Sequence, residues 1–415
     1  MDELSESKSE QTLQNGVSRT VPLLGLLTLL TIGAAALLHV NQPEFILDRF
    51  PGITEFDYSL FDSMLYLSYL IVGILTGIFS DRWKKRRLFV FVGAFGSIPF
   101  YYLMTTAPSY SLLLLYRFIQ GSFTVMIWQT MMTMALDHSN IQNRGKSMGV
   151  FGAFLALAMG MGPAVGGLVA SYGVFMPYYT ASGINVVVLL IAFLALREPL
   201  LPKSRPSLVE SISIARRQPR LFIPGLFNFI DRLHIGFILT ALPLFLSVVL
   251  GVSESLRGMS LAIFALPFII LQYPMGRFSD KHGRYGPLII GSIGYGITLM
   301  LVGYLGSFGF TVLLLMLAIL GIFSGVTAPP SMALVGDVTS QNDSAMAMGF
   351  FNFLGNVGIT VGPLLFGVVI LFSDFIAAFA IAGLLELATL SVNLVLIRIL
   401  SSHKKQHFYP RKQAK

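Results

Sequence analysis

Twelve long apolar runs divide the chain of 415 residues, and each is long enough to cross a lipid bilayer as a helix. Inside a bilayer every backbone polar group needs a partner within the protein, so these runs form helices or a closed barrel. The runs are continuous rather than alternating, which excludes the barrel. We predict an all-α membrane protein with spans at about 21–43, 59–80, 88–107, 109–134, 146–171, 175–196, 220–249, 257–277, 286–306, 309–333, 345–371 and 374–399.

The composition excludes several classes of function. Only 12% of the residues are charged, about half the share in a soluble domain. The absence of cysteine excludes disulfides and thiolate catalysis, and the scattered histidines do not form metal-ligand pairs. No phosphate-binding loop and no catalytic combination is present. We therefore expect no enzyme activity, no catalytic residues, no metal and no cofactor.

The distribution of Lys and Arg predicts the orientation. All but four of the 28 basic residues lie in or next to the two tails and the connections 2–3, 4–5, 6–7 and 8–9. Because cytoplasmic loops carry the excess of basic residues, both termini are predicted to be cytoplasmic, in a multi-pass protein of the cell (inner) membrane. The same distribution explains the net charge of +8 without a nucleic-acid partner.

The chain divides into two halves of six spans. The longest connection contains Pro199, Pro202 and Pro206 and charges of both signs, and its residues 207–217 can form an amphipathic surface helix. The predicted parts are a disordered polar tail (1–20), a six-helix bundle (21–196), a linker (197–219), a second six-helix bundle (220–399) and a basic tail (400–415).

An internal repeat relates the two halves. At an offset of about 200 residues, Gly77-x-x-Ser-Asp-Arg recurs as Gly276-x-x-Ser-Asp-Lys, Asp137 recurs as Asp337, and Gly162-Pro recurs as Gly362-Pro. Two similarly oriented halves of six spans are typical of secondary transporters that rock around a site near the bilayer midplane.

The 2–3 and 8–9 connections carry the most specific motif. Both resemble the signature loop of the major facilitator superfamily, in which a Gly is followed by Asp, a basic residue and a Gly-Arg pair; Lys84 stands where the second Gly is usual. The resemblance implies a conformational latch, whereas the alternative is an ordinary basic loop. The predicted latch residues are Gly77, Asp81, Arg82, Arg86, Gly276, Asp280, Lys281, Gly283 and Arg284.

Span 5 carries a second pattern of small residues. Apart from Ala158, it is similar to the Gly-Pro pattern associated with antiporters of that superfamily. Its residues are Gly149, Gly162, Pro163, Gly166 and Gly167. Small residues also serve ordinary helix packing, which is the alternative interpretation.

Ionisable residues deep in the spans are the candidates for proton coupling, because charge within a bilayer is costly and usually functional. Arg117 lies about 12 Å into span 4, in a motif that resembles one linked to proton handling in the superfamily. Asp231 and His234 share a face of span 7, and Glu386 lies deep in span 12. The alternative is that these residues only anchor helices to one another.

Polar residues near the spans are the candidates for the substrate cavity, which the resemblance implies is lined by spans 1, 4, 7 and 10. They are Arg232, Trp128, Gln129, Asn228, His39, Asn41 and Glu44. The group at the end of span 1 can instead form an interfacial cap.

The resemblance to twelve-span drug:proton antiporters extends from about 21 to 399. It implies a monomer in the lipid bilayer that exchanges protons for small amphipathic molecules, with no nucleic-acid partner. Two alternatives stay open: an uptake symporter for a sugar or organic acid, and a non-transporting membrane sensor or assembly factor.

Overall fold

The computed structural model describes residues 18, 20–139, 143–198, 207–340 and 343–406, with the backbone alone described at 144–145 and 401–406. The predicted N-terminal tail lies almost entirely outside the described residues, as do positions 407–415 of the predicted C-terminal tail.

Twelve long helices occupy the described part of the chain, and all twelve are apolar enough to cross a membrane. They are α1 (Thr20–Ala36), α2 (Glu55–Trp83), α3 (Arg86–Thr105), α4 (Tyr110–Asp137), α5 (Arg144–Ala170), α6 (Met176–Ala195), α7 (Phe222–Val248), α8 (Glu254–His282), α9 (Tyr285–Gly306), α10 (Phe310–Val338), α11 (Ser344–Phe372) and α12 (Phe375–Gln406). Short 3₁₀ helices at Leu37–Val40 and Pro219–Leu221 adjoin α1 and α7, and two short α-helices lie at Gln42–Leu47 and Leu208–Arg217. The prediction of an all-α, twelve-span fold is confirmed.

Several helices extend beyond their apolar runs because polar residues cap their ends. At the start of α2, the Asp57 backbone N–H donates to the Thr54 hydroxyl, and the Asp57 carboxylate accepts from the Thr54 backbone N–H. This reciprocal pair satisfies two backbone groups that the first turn would leave unbonded. The helix therefore begins at Glu55, whereas hydropathy alone places its start near 59.

The predicted amphipathic segment of the linker is a helix. Leu208–Arg217 begins with the same kind of capping box, formed by Ser207 and Glu210. Hydrogen bonding from the backbone N–H of Ser207 holds the pKa of the exposed Glu210 carboxyl below its ordinary value. Ile214 is buried against α11, while Val209 points to the exterior.

Span 1 ends differently from the prediction. The α-helix stops at Ala36, a 3₁₀ turn follows to Val40, and a separate short helix begins at Gln42. Pro43 lies in the first turn of that helix, where its missing N–H breaks no hydrogen bond. The membrane span is therefore Thr20–Val40, and the predicted range of 21–43 runs on into the first turn of the short helix.

The described residues form two compact units. The first contains α1–α6 together with Leu239–Ala265, which is the second part of α7 and the first part of α8. In this unit α3 packs against α4 and α6, and α1 packs against α5. A buried apolar cluster that includes Leu24, Met131 and Val188 joins α1, α4 and α6.

The second unit contains the helix Leu208–Arg217, the first part of α7, the second part of α8, and α9–α12. Here α9 packs against α10 and α12, as α3 packs against α4 and α6 in the first unit. The repeat seen in the sequence is thus also a repeat of helix contacts.

Candidate functional site

Three glycines of α5 lie in close contact with neighbouring helices and turns. A methyl group added at Gly162 would lie 2.6 Å from Cβ of Ala36 in α1, and one added at Gly166 would lie 2.8 Å from Cα of Leu37. On another side, a methyl at Gly167 would lie 3.0 Å from Cα of Ser255 in α8. These positions admit only glycine without a shift of backbone.

The first glycine of the pattern has no such role. Gly149 is exposed and has no described neighbour within 4 Å of an added Cβ. Pro163 is buried inside α5, and its carbonyl oxygen faces Gly258 of α8. The pattern therefore divides into a tightly packed part, 162–167, and an open part at Gly149.

The first predicted latch is built around Arg86, which is fully buried. Its guanidinium pairs with Asp81, donates to the Ser80 hydroxyl at 2.8 Å, and contacts Asp137 at the end of α4 at 3.2 Å. Gly77 faces Gln129 of α4, and Arg82 is exposed. One arginine thus ties the α2–α3 connection to α4.

The second copy has the same geometry around Arg284. It contacts Asp280 at 2.5 Å, the Ser279 hydroxyl at 2.8 Å and Asp337 at the end of α10 at 2.8 Å. The hydrogen bond with Asp337 raises the pKa of Arg284 above its ordinary value. Gly276 faces Pro329 of α10, the repeat equivalent of position 129.

The remaining predicted latch residues, Lys281 and Gly283, lie at the end of α8 and in the turn after it. Lys84 ends α2 with a φ of 53°, a left-handed conformation that favours glycine, and its repeat counterpart Gly283 has a φ of 89°. Lys281 is exposed at the end of α8. Lysine at position 84 therefore adopts the same left-handed turn conformation as the glycine of the second copy.

The proton-coupling candidates of the second unit lie together. Asp231 and His234 are on α7, and Glu386 reaches them from α12. Nδ1 of His234 lies 3.4 Å from Oε2 of Glu386, and the imidazole stacks on Tyr295 of α9 at 5.1 Å between ring centres. The Asp231 carboxylate lies 3.5 Å from the Ser324 hydroxyl of α10. We call Asp231, His234 and Glu386 the Asp231 cluster.

The hydrogen bond of His234 constrains which ring nitrogen carries a hydrogen. Its Nε2 lies 2.9 Å from the carbonyl oxygen of Ala382, which can only accept, so Nε2 carries a hydrogen. A neutral imidazole then presents its Nδ1 lone pair to Glu386. The 3.4 Å between Nδ1 and Oε2 of Glu386 is a charge-pair distance, and Nδ1 has no hydrogen-bond partner in the described structure. The side chains are almost fully buried.

Arg117 belongs to a separate group in the first unit, which we call the Asp62 cluster: His39, Gln42, Asp62, Arg117 and Thr240. The Asp62 carboxylate accepts hydrogen bonds of 2.9 Å from the Gln42 amide and 2.9 Å from the Thr240 hydroxyl. Arg117 and Nδ1 of His39 each lie 3.5 Å from it. All five side chains are buried.

Three of the cavity candidates bond to backbone or to a neighbouring helix. The Asn228 amide donates to the Phe351 carbonyl of α11 at 2.7 Å, and the Asn41 amide donates to the Val174 carbonyl at 2.7 Å. The Gln129 amide donates to the Gly73 carbonyl of α2 at 3.0 Å. These contacts use one amide hydrogen of each side chain, so fewer hydrogen-bond donors remain for a ligand.

Trp128 and Arg232 are less constrained. Nε1 of Trp128 is buried without a hydrogen-bond partner in the described structure, and its ring lies 6.3 Å from that of Tyr69. The stem of Arg232 packs near Gly355, and no described acid lies within ion-pair distance of its guanidinium. Both residues stay predictions for substrate binding.

Glu44 is the partner of Arg257, which lies in the first turn of α8. The two side chains form a bidentate pair with N–O distances of 2.7 and 2.5 Å, and Arg257 also donates to the carbonyl oxygens of Val40 and Val252. The Ser247 hydroxyl donates to the same carboxylate at 3.0 Å. We call Glu44 and Arg257 the Glu44–Arg257 pair.

The sequence did not single out Asp62, Thr240 or Arg257. Asp62 lies near the start of predicted span 2, where an acid is typical of an interface, and Thr240 is one hydroxyl in an apolar run. One signal was present: Arg117 is buried in the bilayer and needs a compensating acid. Asp62 and Arg117 both lie eight residues into their helices.

Comparisons with known proteins decide the family. The family model described as Major Facilitator Superfamily matches residues 24–233 and 225–414. The chain belongs to the Major Facilitator Superfamily. It is a multi-pass membrane protein of a transporter family, as the twelve spans and the family match indicate.

Individual relatives are distant. An "Uncharacterized MFS-type transporter" of Methanocaldococcus jannaschii is 23% identical over 76% of this chain and 82% of its own length. The quinolone resistance protein NorA of Staphylococcus aureus is 29% identical, but over only 36% of this chain and 38% of its own. A crystal structure of the nucleoside transporter NupG matches with a TM-score of 0.73 at 14% identity, covering 92% of this chain and 99% of that one, which shows the fold alone.

Proposed function

We propose that this member of the superfamily is a proton-coupled antiporter that exports small amphipathic molecules or drugs by alternating access, as a monomer in the cell (inner) membrane. The observation that carries the proposal is the Asp231 cluster, in which His234 and Glu386 lie 3.4 Å apart, almost fully buried in the second unit, with Asp231 nearby on α7. The tightly packed glycines of α5 and the partial similarity to NorA support export.

Residues of the Asp231 cluster have distinct roles in this proposal. His234 and Glu386 hold one proton between them, and Asp231, one turn away on α7, accepts a proton or a cationic substrate. Substrate and proton compete because a carboxylate that has bound a proton no longer attracts a cation. One charge crossing 100 mV supplies about 2.3 kcal/mol, enough for roughly a fifty-fold solute gradient.

Transport in proteoliposomes tests the proposal. Purified protein would be reconstituted with a fluorescent quinolone outside, and an inside-acid pH gradient would be imposed. An antiporter accumulates the quinolone inside while protons leave, whereas a symporter accumulates it only with an inside-alkaline gradient. Failure of the quinolone and of ethidium to enter under either gradient would contradict drug export.

Matched variants locate the coupling. Asp231→Asn should abolish quinolone accumulation driven by the pH gradient, because the amide cannot release a proton. Asp48→Asn is the control, since Asp48 is an exposed carboxylate in the connection after span 1. Unchanged coupling in Asp231→Asn, with correct insertion, would remove Asp231 from the mechanism.

Orientation is testable because the chain contains no cysteine. We propose cytoplasmic termini from the basic residues of the connections. A cysteine in place of Lys85 should react with an impermeant maleimide only after the cells are opened, and one in place of Tyr172 should react in intact cells. Both positions are exposed.

A further inference from the structure

An open groove of about 440 Å³ lies between α3 and α6 of the first unit. Its lining is apolar, and the side chains of Phe95 and Phe193 are 71% and 65% exposed. An exposed apolar surface of this kind marks a place where a membrane or a partner covers the protein. We call it the α3–α6 groove; it is lined by Phe91, Val92, Phe95, Leu189, Leu190 and Phe193.

Arg87 lies at one end of the α3–α6 groove. Its guanidinium lies 4.8 Å from the centre of the Phe91 ring and donates to the Phe193 carbonyl oxygen at 2.7 Å. That hydrogen bond uses Nη2, whereas Nη1 makes no hydrogen bond to a described residue, and no described acid lies within ion-pair distance. Arg87 therefore has donors left for an anion at the point where the apolar lining begins.

The charges around this end of the groove are mostly positive. Lys85 precedes α3 and Arg197 follows α6, and both are exposed. Glu198 lies beside them, but its carboxylate accepts hydrogen bonds from the backbone N–H groups of Arg86 and Arg87 rather than from a side chain. The end of the groove therefore favours a negatively charged group.

The groove also matches one leaflet of a bilayer in length. Phe95 lies eight residues after Arg87, which is about 12 Å along the helix axis. Half of the hydrocarbon core of a bilayer is about 15 Å thick. The basic connections place Arg87 on the side predicted to be cytoplasmic, where the leaflet carries anionic lipids. A headgroup at Arg87 would thus extend an acyl chain along the groove.

We propose that Arg87 and the α3–α6 groove form a binding site for one anionic phospholipid, with its phosphate at the guanidinium and an acyl chain against the apolar lining. Contact with the Phe91 ring holds the guanidinium in place, and a hydrogen bond between two charged groups is stronger than a neutral one. Any lipid can cover the groove, but only an anionic headgroup gains an attractive contact with the charge of Arg87. The site depends neither on proton coupling nor on the exported compound.

The internal repeat indicates that this site occurs once in the chain. Arg284 is the counterpart of Arg86, and Tyr285 follows it as Arg87 follows Arg86. A phenol does not supply the positive charge that a phosphate needs. We therefore expect the anionic lipid at α3 and α6 and not at the equivalent position of α9.

Native mass spectrometry of the purified full chain measures bound lipid directly. The protein would be delipidated in a mild detergent and titrated with dioleoyl phosphatidylglycerol or dioleoyl phosphatidylcholine, which have the same acyl chains and differ in headgroup charge. We expect one phosphatidylglycerol to bind about ten-fold more tightly than phosphatidylcholine, since a hydrogen bond to a charged group contributes at least this much. Glycerol phosphate, which has the anionic group without acyl chains, should not bind.

Matched variants test both parts of the site. Arg87→Gln should weaken phosphatidylglycerol binding about ten-fold, whereas Lys85→Gln removes a charge from the same connection outside the groove and should leave binding within about two-fold. Leu190→Trp should weaken it several-fold by filling the groove. Leu194→Trp is the control, because Leu194 is exposed on the same helix but does not line the groove.

Equal binding of the two lipids by the parent would show ordinary boundary lipid and would overturn the inference. An equal loss in Arg87→Gln and Lys85→Gln would do the same, because it would show attraction by overall charge. If Arg87→Gln does not fold, the comparison of Leu190→Trp with Leu194→Trp decides the result, and equal affinities in that pair would exclude the groove. Tight binding of glycerol phosphate alone would replace the lipid by a free anion and overturn the proposal.

Discussion

The Glu44–Arg257 pair allows the energy of one contact in the first unit to be measured. Arg257 is almost fully buried and Glu44 is 22% exposed, and the two charge-assisted hydrogen bonds are 2.7 and 2.5 Å long. At an effective dielectric constant of about 20, charges about 4 Å apart attract by about 4 kcal/mol before desolvation is subtracted. Because a hydrogen bond to a charged group contributes about 1.5–3 kcal/mol net, we expect a coupling energy of about 2 kcal/mol.

A double-mutant cycle measures this coupling directly. Arg257→Met should lower the free energy of unfolding by about 3–4 kcal/mol, since it leaves Glu44 unpaired and also removes the bonds to the carbonyls of Val40 and Val252. Glu44→Gln should cost about 2 kcal/mol. The double variant should cost little more than Arg257→Met alone.

The assay is reversible unfolding in mixed micelles of a mild detergent and sodium dodecyl sulfate, followed by circular dichroism. Glu254→Gln is the control for the cycle, because Glu254 lies 3.8 Å from Arg257 with one contact; its coupling should stay below about 0.5 kcal/mol. A Glu44–Arg257 coupling as small as that control would refute the view that the bidentate geometry stabilises this unit.

Three further changes can be measured in the same way. Gly162→Ala should lower the free energy of unfolding by about 1–3 kcal/mol through overpacking. Gly149→Ala should leave it unchanged, because an added methyl group there meets open space. Equal losses in the two variants would contradict the division of the α5 pattern. Arg86→Met should lower the free energy of unfolding by about 3–5 kcal/mol, because Arg86 is fully buried. Arg284→Met should lower it by about 1 kcal/mol, because Arg284 is more exposed. A larger loss at Arg284 than at Arg86 would contradict this reasoning from burial. Lys84→Gly should raise stability by about 1 kcal/mol by relieving a left-handed turn, and a loss would show that the lysine side chain has a stabilising contact.

The sequence predicted the number and position of the spans well because the bilayer imposes one length and one polarity on all of them. It was less accurate at the ends, where helices continue through polar turns that hydropathy does not detect. The last turns of α4 and α10 are examples, since Asp137 and Asp337 lie there. The repeat identified these two acids as equivalent, but only the structure shows that each pairs with an arginine of a predicted latch.

Pairing between distant side chains was the hardest part to predict. Arg117, Asp231, His234 and Glu386 could be named because each is an ionisable residue deep in an apolar run. Their grouping could not, since it depends on which helix faces are in contact. Asp62 shows the difficulty: its position near a helix start is typical of an interface, yet its side chain is buried.

Helix α4 carries both Arg117 and Asp137, twenty residues apart and therefore separated by about 30 Å along the helix axis. Arg117 pairs with Asp62 of α2, and Asp137 pairs with Arg86, the first residue of α3, so each end of this segment is held by a neighbouring helix. The intervening segment contains no proline that could bend it. A shift of α4 along its axis at Arg117 therefore moves Asp137 by the same distance. The Asp62–Arg117 pair and the Arg86–Asp137 pair are thus mechanically coupled through α4.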